Sequence, residues 1–370
     1  MRYKQVCLEG FGYTLPEEVV PTSELESRLE PLYRRLRLPE GRLELMTGIR
    51  ERRFWEPNTL PSQKSVQSVQ QLLEKTGFPA ERIGALIHAS VCRDYLEPAT
   101  ACVVHSQLGF PESCLLYDIS NACLGFLNGV LQVANLIELG QIEAGIVVAT
   151  EGSRELVENT IEHLNQDESL TRDQVKYAIA SLTIGSGSVA CLLTRETISN
   201  TKDRICGGIW HTDTRGAGLC HSGRDDAVSH NMRPLMRTDS EALMHAGIEV
   251  GRQAFDRLLD SLEWDRDQLD KTICHQIGTT HRKLMFEALQ LDLSLDFPTV
   301  QYLGNTGSVA MPITAAIAQE EGFFQPGDQI AFLGIGSGIN SVMLGVEWQS
   351  SSVSLESKQR KPAQSPLPTS

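Results

Sequence analysis

The segment from Ile119 to Ile137 contains no charged side chain and is about as long as a membrane-spanning helix. Its recurring polar side chains are amides: Asn121, Asn128, Gln132 and Asn135. Amides are costly in lipid, so the sequence predicts a helix over 121–139 that is buried on all sides inside a large protein. The chain has 370 residues, enough for one large domain or two of ordinary size.

Strand and helix patterns alternate along the chain. In the first half, strand patterns cover 6–16, 83–91, 114–120 and 144–151, and helix patterns cover 23–36, 65–78, 98–110 and 121–139. In the second half, helix patterns cover 240–262, 280–291 and 305–323, and strand patterns cover 271–278 and most of 329–348. Two further segments, 185–195 and 204–213, predict an antiparallel pair of strands. This alternation is typical of α/β layers.

The two halves repeat the same theme, which indicates a duplicated fold. We expect the first half to cover 1–196 and the second to cover 197–349. The tail over 350–370 is rich in Ser, Pro and Lys and has no periodicity, so we expect it to be disordered.

Charge and cysteine usage exclude several classes of protein. The net charge of −14 argues against nonspecific binding to nucleic acid, which requires a basic surface. The nine cysteines are odd in number and lack C-x-x-C spacing, which argues against a disulfide framework or a zinc site and fits a reducing compartment. The opening residues, MRYKQVCLEGFGYTLP, lack the apolar core of a secretory signal. We therefore expect a cytoplasmic protein without a bound metal.

Cys123 lies at the turn between a predicted strand and the uncharged helix. A thiol in that position feels the positive end of the helix dipole, which favours the thiolate. The thiolate is the form that attacks esters and thioesters. The alternative is a core cysteine packed as a small hydrophobic side chain, and for one cysteine among nine that alternative is the default.

Three further segments carry polar groups at positions typical of sites. His275 follows the strand pattern TIC, although a lone histidine is more often structural. Asn305 lies in GNTG at the start of a helix pattern, where an N-cap would also explain it. The segment GIGSG over 334–338 precedes a strand. It is therefore either a tight hairpin or a set of backbone N–H groups that face an oxyanion.

Taken in order, these motifs resemble the thiolase superfamily, and most closely its β-ketoacyl-ACP synthase III branch. They are SNACLGF around Cys123, CHQ at 274–276, GNTG at 304–307, GIGSG at 334–338, TGIRERR at 47–53 and GSGSVACLL at 185–193. The resemblance spans residues 3–348 and implies two similar α/β halves in a five-layered α-β-α-β-α sandwich. It also implies three catalytic residues, Cys123, His275 and Asn305, and oxyanion N–H groups from Cys123 and from Gly336 or Ser337.

Two segments, SVCRDYLEPATA (90–101) and CHQIGTTH (274–281), resemble the acyl-CoA-condensing thiolases of long-chain olefin biosynthesis. Those enzymes join two fatty acyl-CoA molecules head to head. In them, the glutamate that matches Glu97 enters the active site of the neighbouring subunit, whereas synthase III enzymes have an apolar residue there. Without this resemblance, a charge at the start of a helix would explain Glu97.

A carboxylate at this position has a chemical reason. Malonyl-ACP forms its carbanion by losing carbon dioxide, so it needs no base. An ordinary fatty acyl-CoA must instead lose an α-proton to a positioned base, whose pKa an apolar pocket would raise toward a useful value.

The resemblance therefore implies an acyltransferase that condenses two fatty acyl-CoA molecules through a Cys123 acyl-enzyme to a 2-alkyl-3-oxo acid. It implies a homodimer, with CoA thioesters as substrates and no cofactor. The alternative is a decarboxylating β-ketoacyl-ACP synthase III that uses acyl-CoA and malonyl-ACP, with acyl carrier protein as a partner. A noncatalytic member of the fold, with an inert Cys123, is a third hypothesis.

Two residues depart from the pattern of the synthase III branch. Leu303 stands where that branch usually has a histidine before Gly-Asn, and Met46 stands where many of its members have an arginine that holds CoA. The CoA-contacting residues are therefore not assigned from the sequence.

Overall fold

The structure is a computed structural model, and it describes residues 1–223 and 235–351. The predicted tail over 350–370 lies almost entirely outside these residues, so its disorder stays a prediction.

Strands and helices alternate through most of the described chain. The strands are β1 (Val6–Thr14), β2 (Glu18–Pro21), β3 (Glu51–Phe54), β4 (Ala85–His88), β5 (Leu115–Asp118), β6 (Ala144–Glu151), β7 (Gly187–Arg195), β8 (Asp203–Thr212), β9 (Cys220–His221), β10 (Arg237–Thr238), β11 (Lys271–Cys274), β12 (Gln329–Gly336) and β13 (Asn340–Glu347). The helices are α1 (Thr22–Arg28), α2 (Glu30–Leu36), α3 (Arg42–Thr47), α4 (Pro61–Thr76), α5 (Thr100–Leu108), α6 (Gly125–Glu138), α7 (Arg154–Gln166), α8 (Arg172–Lys176), α9 (Ser240–Leu262), α10 (Thr279–Leu289), α11 (Val300–Leu303) and α12 (Ala310–Glu320).

A mixed sheet of nine strands runs through the described part of the protein, in the order β11-β12-β13-β8-β1-β7-β6-β4-β5. The strands of the first half of the chain occupy one end of this sheet and those of the second half occupy the other. The two groups meet where β1 pairs with β8, at Cys7 opposite Arg204 and Leu8 opposite Asp203. This division agrees with two α/β halves, and a boundary at residue 196 stays a prediction.

The strands alternate between two apolar environments, as the period of two along a strand requires. On β7, Val189 and Cys191 face a core shared with α6 and α12, whereas Leu192 faces the side covered by α4 and α5. On β12, Phe332 faces the shared core, whereas Leu333 faces α9 and α10. From one side to the other, the five layers are α4/α5, the strands of the first half of the chain, α6/α12, the strands of the second half, and α9/α10. This order confirms the predicted five-layered sandwich.

Helix α6 lies in the middle of this sandwich and is buried along most of its length. The prediction of an enclosed helix is confirmed, and none of the described helices is long and apolar enough to cross a membrane. Its start was predicted four residues too early. Residues 121–124 form a turn in which Ala122 has a φ of 45°, so the helix begins at Gly125.

Two predictions about neighbouring elements were wrong. The strands at 185–195 and 204–213 do not pair with each other, because β1 lies between them and pairs antiparallel with both. The helix predicted over 23–36 is two helices that meet at Leu29. Pro31 stands in the first turn of α2, where its missing N–H costs nothing, whereas inside one long helix it would remove a hydrogen bond. Helices α3, α7 and α8 and the β2–β3 pair were not predicted.

A close approach between β1 and α4 gives a test of the packing. A Cβ atom on Gly12 would lie 2.3 Å from the carbonyl oxygen of Ser68 and 2.5 Å from the amide nitrogen of Leu72. Backbone atoms cannot rotate away, so we expect Gly12→Ala to lower the free energy of unfolding by about 3 kcal/mol. On the same face of β1, a Cβ on Gly10 would meet the side chain of Thr76 at 3.1 Å.

Gly10→Ala is therefore the matched control, and we expect its change in the free energy of unfolding to stay within about 1 kcal/mol. Urea denaturation followed by circular dichroism measures both variants. Equal losses in the two variants would contradict the backbone contact as the cause.

Candidate active site

Cys123 stands in the turn that connects β5 to α6, directly before Leu124, the N-cap residue of that helix. The end of β12 lies against the same turn. A Cβ atom on Gly336 would be 3.6 Å from the backbone nitrogen of Cys123 and 3.0 Å from Cγ of Leu124. The structure thus brings together Cys123 and Gly336, two of the residues predicted to supply oxyanion N–H groups, although they are far apart in sequence.

The segment around Gly336 is a hairpin, as one of the two sequence interpretations held. Strands β12 and β13 pair antiparallel up to Gly336 opposite Asn340, and Ser337 lies half-buried in the turn between them. The backbone oxygen of Ser337 accepts a hydrogen bond of 3.3 Å from Nδ2 of Asn340. The hairpin and a role at the site are compatible, because its tip is the part that reaches Cys123.

The pKa of the Cys123 thiol is raised, whereas its position before a helix predicts a lowered pKa. Burial raises the pKa of Cys123 to about 12, and the negative charge of Glu151 also raises it. Burial thus opposes the thiolate form that the helix dipole favours. Removal from water opposes the charge more strongly than the helix end supports it.

His275 follows β11 directly and is buried. Its backbone N–H donates to the carbonyl oxygen of Leu333 at 3.2 Å, which anchors it to β12. Burial lowers the pKa of His275 to about 3, with a further contribution from His281, so the imidazole is neutral at neutral pH. Its Nε2 atom is buried, and no partner for it exists among the described residues. The side chain therefore has an uncommitted polar atom for a substrate.

Asn305 makes three hydrogen bonds, two through its backbone and one through its side-chain amide. Its N–H donates to the oxygen of Thr183 at 2.9 Å, and its own carbonyl accepts from the N–H of Gly185 at 2.9 Å. Its Oδ1 accepts from the N–H of Gly307 at 3.0 Å. Because Oδ1 is engaged, Nδ2 is the group left to donate to a ligand. The N-cap interpretation is met in part, because Oδ1 accepts from Gly307, the first residue of a short 3₁₀ helix (Gly307–Val309) that leads into α12, whereas the N-cap position itself is Thr306.

Glu97 lies on the exposed loop between β4 and α5. Helix α5 begins at Thr100 and has no acidic residue in its first turn, so the interpretation of Glu97 as a helix-start charge was wrong. The same loop exposes Val91, Tyr95 and Leu96, which is an unusual density of apolar side chains for solvent.

Glu151, the last residue of β6, was missed by sequence reasoning and is buried beside this site. Its carboxylate accepts hydrogen bonds from the backbone N–H groups of Val91 and Cys92 and from the hydroxyl of Ser308. Burial raises the pKa of Glu151, while these donors lower it. The sequence signal was slight: a single charge that closes an apolar strand, ordinarily interpreted as a solvent-facing end.

His281 is a second side chain that sequence reasoning did not single out. It is buried in the first turns of α10, and burial lowers its pKa to about 4. Among the described residues, no group of three or more His, Cys, Asp and Glu side chains is arranged to hold a metal ion.

Comparison with known proteins assigns this arrangement to a family. The model of the 3-oxoacyl-[acyl-carrier-protein] synthase III C terminal matches residues 259–348. The acyl-CoA:acyl-CoA alkyltransferase of Shewanella oneidensis is 42% identical over 94% of this chain and all of its own. The chain belongs to the family of acyl-CoA:acyl-CoA alkyltransferases. This family places it in the thiolase superfamily, in the synthase III branch, as its motifs indicated.

Other members of the branch are similar to different degrees. The alkyltransferase of Xanthomonas campestris is 31% identical over 94% of the chain and all of its own. A structure of Xanthomonas campestris OleA, a cysteine-to-serine variant with bound lauric acid and lauroyl-CoA, covers 94% of this chain and all of its own, with a TM-score of 0.88 and 30% identity. A β-ketoacyl-ACP synthase III of Bacillus cereus is 25% identical over 92% of this chain and 97% of its own.

The raised pKa of Cys123 predicts how its alkylation depends on pH. Below its pKa, the thiolate fraction grows about tenfold per pH unit, so the rate of iodoacetamide labelling should rise about tenfold per unit from pH 7 to pH 9. We expect no plateau in that range, because the pKa is about 12. Peptide mass spectrometry measures the labelling of Cys123.

Exposed Cys102 in the same samples serves as the internal standard for reagent activity. Fast labelling of Cys123 at pH 7 that levels off with rising pH would contradict the prediction. That result would mean that the dipole of α6 outweighs burial.

Proposed function

We propose that this protein catalyses the head-to-head Claisen condensation of two fatty acyl-CoA molecules through an acyl-enzyme at Cys123. The observation that carries the proposal is the 42% identity to the Shewanella oneidensis acyl-CoA:acyl-CoA alkyltransferase over the whole length of that enzyme. The β-ketoacyl-ACP synthases III of Bacillus cereus and Bacillus anthracis are more distant, at 25% and 24% identity. The arrangement of half-buried Cys123, buried His275 and half-buried Asn305 supports acyl transfer.

In the first step, Cys123 attacks the thioester carbonyl of one acyl-CoA. The new bond is between its Sγ and the acyl carbon, and the bond to the CoA sulfur breaks. Since burial keeps the Cys123 thiol un-ionised, attack and proton loss have to be coupled, and the proton ends on the departing CoA thiol. The backbone N–H groups of Cys123 and of Gly336 or Ser337 stabilise the oxyanion that forms on the acyl oxygen.

In the second step, Glu97 of the partner subunit removes an α-proton from a second acyl-CoA. The resulting enolate carries negative charge on its thioester oxygen, and two donors are available for it. Asn305 donates from Nδ2, because Gly307 occupies its Oδ1. His275 donates from the N–H of its neutral imidazole, whose Nε2 is otherwise unpartnered in the described protein. Donors preorganised for developing charge are usually the largest catalytic contribution.

In the third step, the α-carbon of the enolate attacks the acyl group on Cys123. A carbon–carbon bond forms, the bond to Sγ breaks, and the thiolate that leaves regains a proton. The product at this point is a 2-alkyl-3-oxoacyl-CoA. Addition of water to its thioester releases CoA and gives the 2-alkyl-3-oxo acid.

We propose a homodimer whose interface includes one edge of the sheet. Strand β5 is the last strand at its end, so one side of its backbone has no strand partner in the described protein. Its first residue, Leu115, is exposed, as are Val91, Tyr95 and Leu96 of the loop that carries Glu97. An exposed sheet edge with apolar neighbours invites pairing with a second chain. A second copy at this edge would receive Glu97 at its own site.

We propose that CoA binds at a cavity beside α3. A cavity of about 190 Å³ lies between helices α2 and α3 on one side and α7 and α8 on the other, with mostly apolar walls. Met46 lines it, and so does Arg42, one helical turn earlier on α3. Arg172 and Lys176 line it from α8. These cations are candidates to contact phosphate, which Met46 cannot do, while Asp173 lines the same cavity and pairs with Lys176 at 2.9 Å.

The proposal also covers substrates, partners and location. CoA thioesters are substrates, and no cofactor is required by the three steps. Acyl carrier protein would be a partner in the decarboxylating alternative. A cytoplasmic location is supported by nine cysteines, all of which are free.

Incubation with a long-chain acyl-CoA alone tests the function. We expect continuous release of CoA with an oxo acid of the summed chain length, or the ketone left by its decarboxylation. Cys123→Ala should release no CoA through the acyl-enzyme. Glu97→Gln should release one CoA per Cys123 and then slow by at least about 100-fold, since loss of a general base costs about that much. Free thiol assays and product mass measure both effects.

Cys102→Ala is the matched control, because Cys102 is an exposed cysteine on α5 close to the Glu97 loop. Release of one CoA by the unchanged protein, followed by arrest until malonyl-ACP is added, would favour the decarboxylating synthase instead. Normal turnover by Cys123→Ala would exclude the acyl-enzyme.

A further inference from the structure

The loop that carries Glu97 is fixed at both ends by buried or partly buried carboxylates. At its start, Glu151 Oε1 accepts from the N–H of Val91 at 2.9 Å, and Oε2 accepts from the N–H of Cys92 at 3.2 Å. At its end, Asp118 accepts from the backbone N–H groups of residues 100 and 101 at 2.7 and 2.8 Å. Between these anchors the side chain of Glu97 is exposed. Asp94 attaches the loop between these anchors, since its Oδ1 accepts from the N–H of Ser62 at 2.9 Å. The position of Glu97 therefore depends on how firmly the loop is held at these three places.

Glu151 differs from Asp118 because it also contacts the active site of its own chain. Its Oε1 accepts from the hydroxyl of Ser308 at 2.6 Å. A Cβ atom on Gly307 would lie 3.4 Å from Cγ of Glu151, and the N–H of Gly307 fixes the amide of Asn305. One carboxyl group thus connects the Asn305 loop to the start of the Glu97 loop.

The carboxyl group that accepts these hydrogen bonds is buried, since Glu151 is 5% exposed. Without its carboxylate, the partly buried N–H groups of Val91 and Cys92 would lose their acceptor, and a donor that is shielded from water and left without a partner destabilises the arrangement. The loop would then move to find water or another acceptor.

We propose that Glu151 is a positioning residue that couples the two active sites of a dimer. It holds the Asn305 loop of its own site and, through Val91 and Cys92, the loop that presents Glu97 to the partner's site. This inference rests on the proposed function, in which Glu97 acts across the dimer. A change at Glu151 then affects a site in which the changed chain supplies only Glu97.

Mixed dimers isolate that effect. One protomer carries Cys123→Ala, and the other carries Glu97→Gln; two different C-terminal tags allow the mixed dimer to be purified. The site on the Glu97→Gln protomer then has an intact Cys123 and receives an intact Glu97 from its partner, while the other site is inactive. Glu151→Ala is added to the Cys123→Ala protomer alone, so its own catalytic site is already silent.

We expect condensation by this mixed dimer to fall at least about tenfold, since misplacing a catalytic group by about 1 Å can cost about 100-fold. The initial release of one CoA per intact Cys123 should keep its rate, because acylation does not use Glu97. This combination separates poor presentation of Glu97 from loss of folding. Glu151→Gln keeps one oxygen for Val91 and Ser308 but faces the N–H of Cys92 with a donor, so we expect a smaller loss in the same direction.

Glu9→Ala in the same protomer is the matched control. Glu9 is also 5% exposed and also accepts three hydrogen bonds, from Thr194, Ser199 and Asn200, in a region remote from the Glu97 loop. It should leave condensation by the mixed dimer unchanged.

The outcomes distinguish the two levels of the proposal. If the mixed dimer without any change at Glu151 fails to condense acyl-CoA, Glu97 does not act across the dimer, and the proposed function fails at that step. If that dimer is active and Glu151→Ala leaves its condensation rate unchanged, the coupling role of Glu151 is overturned. A parallel fall in CoA release and condensation would also overturn it, since that pattern indicates general destabilisation.

Discussion

Enclosure of α6 between the inner faces of the sheet is the constraint on which the rest of this structure depends. The helix carries no charge before its last residue, Glu138, and buries most of its residues in the core that it shares with α12. Both faces need apolar partners, and the two halves of the chain supply them. Enclosure also places the start of α6 deep in the molecule, where the tip of β12 reaches it. The nucleophile is therefore buried for the same reason that the fold is layered.

Much of the fold follows from local patterns in the sequence. The length of α9 and the position of β6 come from periodicity, and the burial of α6 comes from the absence of charge over 119–137. The pairing between strands does not follow from local patterns, because it depends on partners that are distant in sequence. The segments of β7 and β8 look like neighbours along the chain, yet β1 separates them in the sheet. No local pattern distinguishes these two arrangements.

In the candidate site, too, some residues could be predicted from the sequence and others depend on distant contacts. Motif order, through the family resemblance, indicated Cys123, His275 and Asn305; Cys123 stands just before a helix and His275 directly after a strand. Glu151 was invisible for the opposite reason: a glutamate at a strand end usually faces water, and its role depends on donors from two distant loops. The pKa of the Cys123 thiol was also misjudged, since a helix end can be recognised in sequence but the depth of burial cannot.

A thiol that is buried and un-ionised has a consequence for the survival of the protein under oxidative stress. Peroxides oxidise the thiolate to sulfenic acid, and sensors of oxidation expose cysteines of low pKa for that purpose. With its pKa raised to about 12 by burial, Cys123 is almost entirely un-ionised at pH 7. The resting protein thus keeps its nucleophile in a form that peroxide attacks slowly, and damage should fall first on its more accessible cysteines.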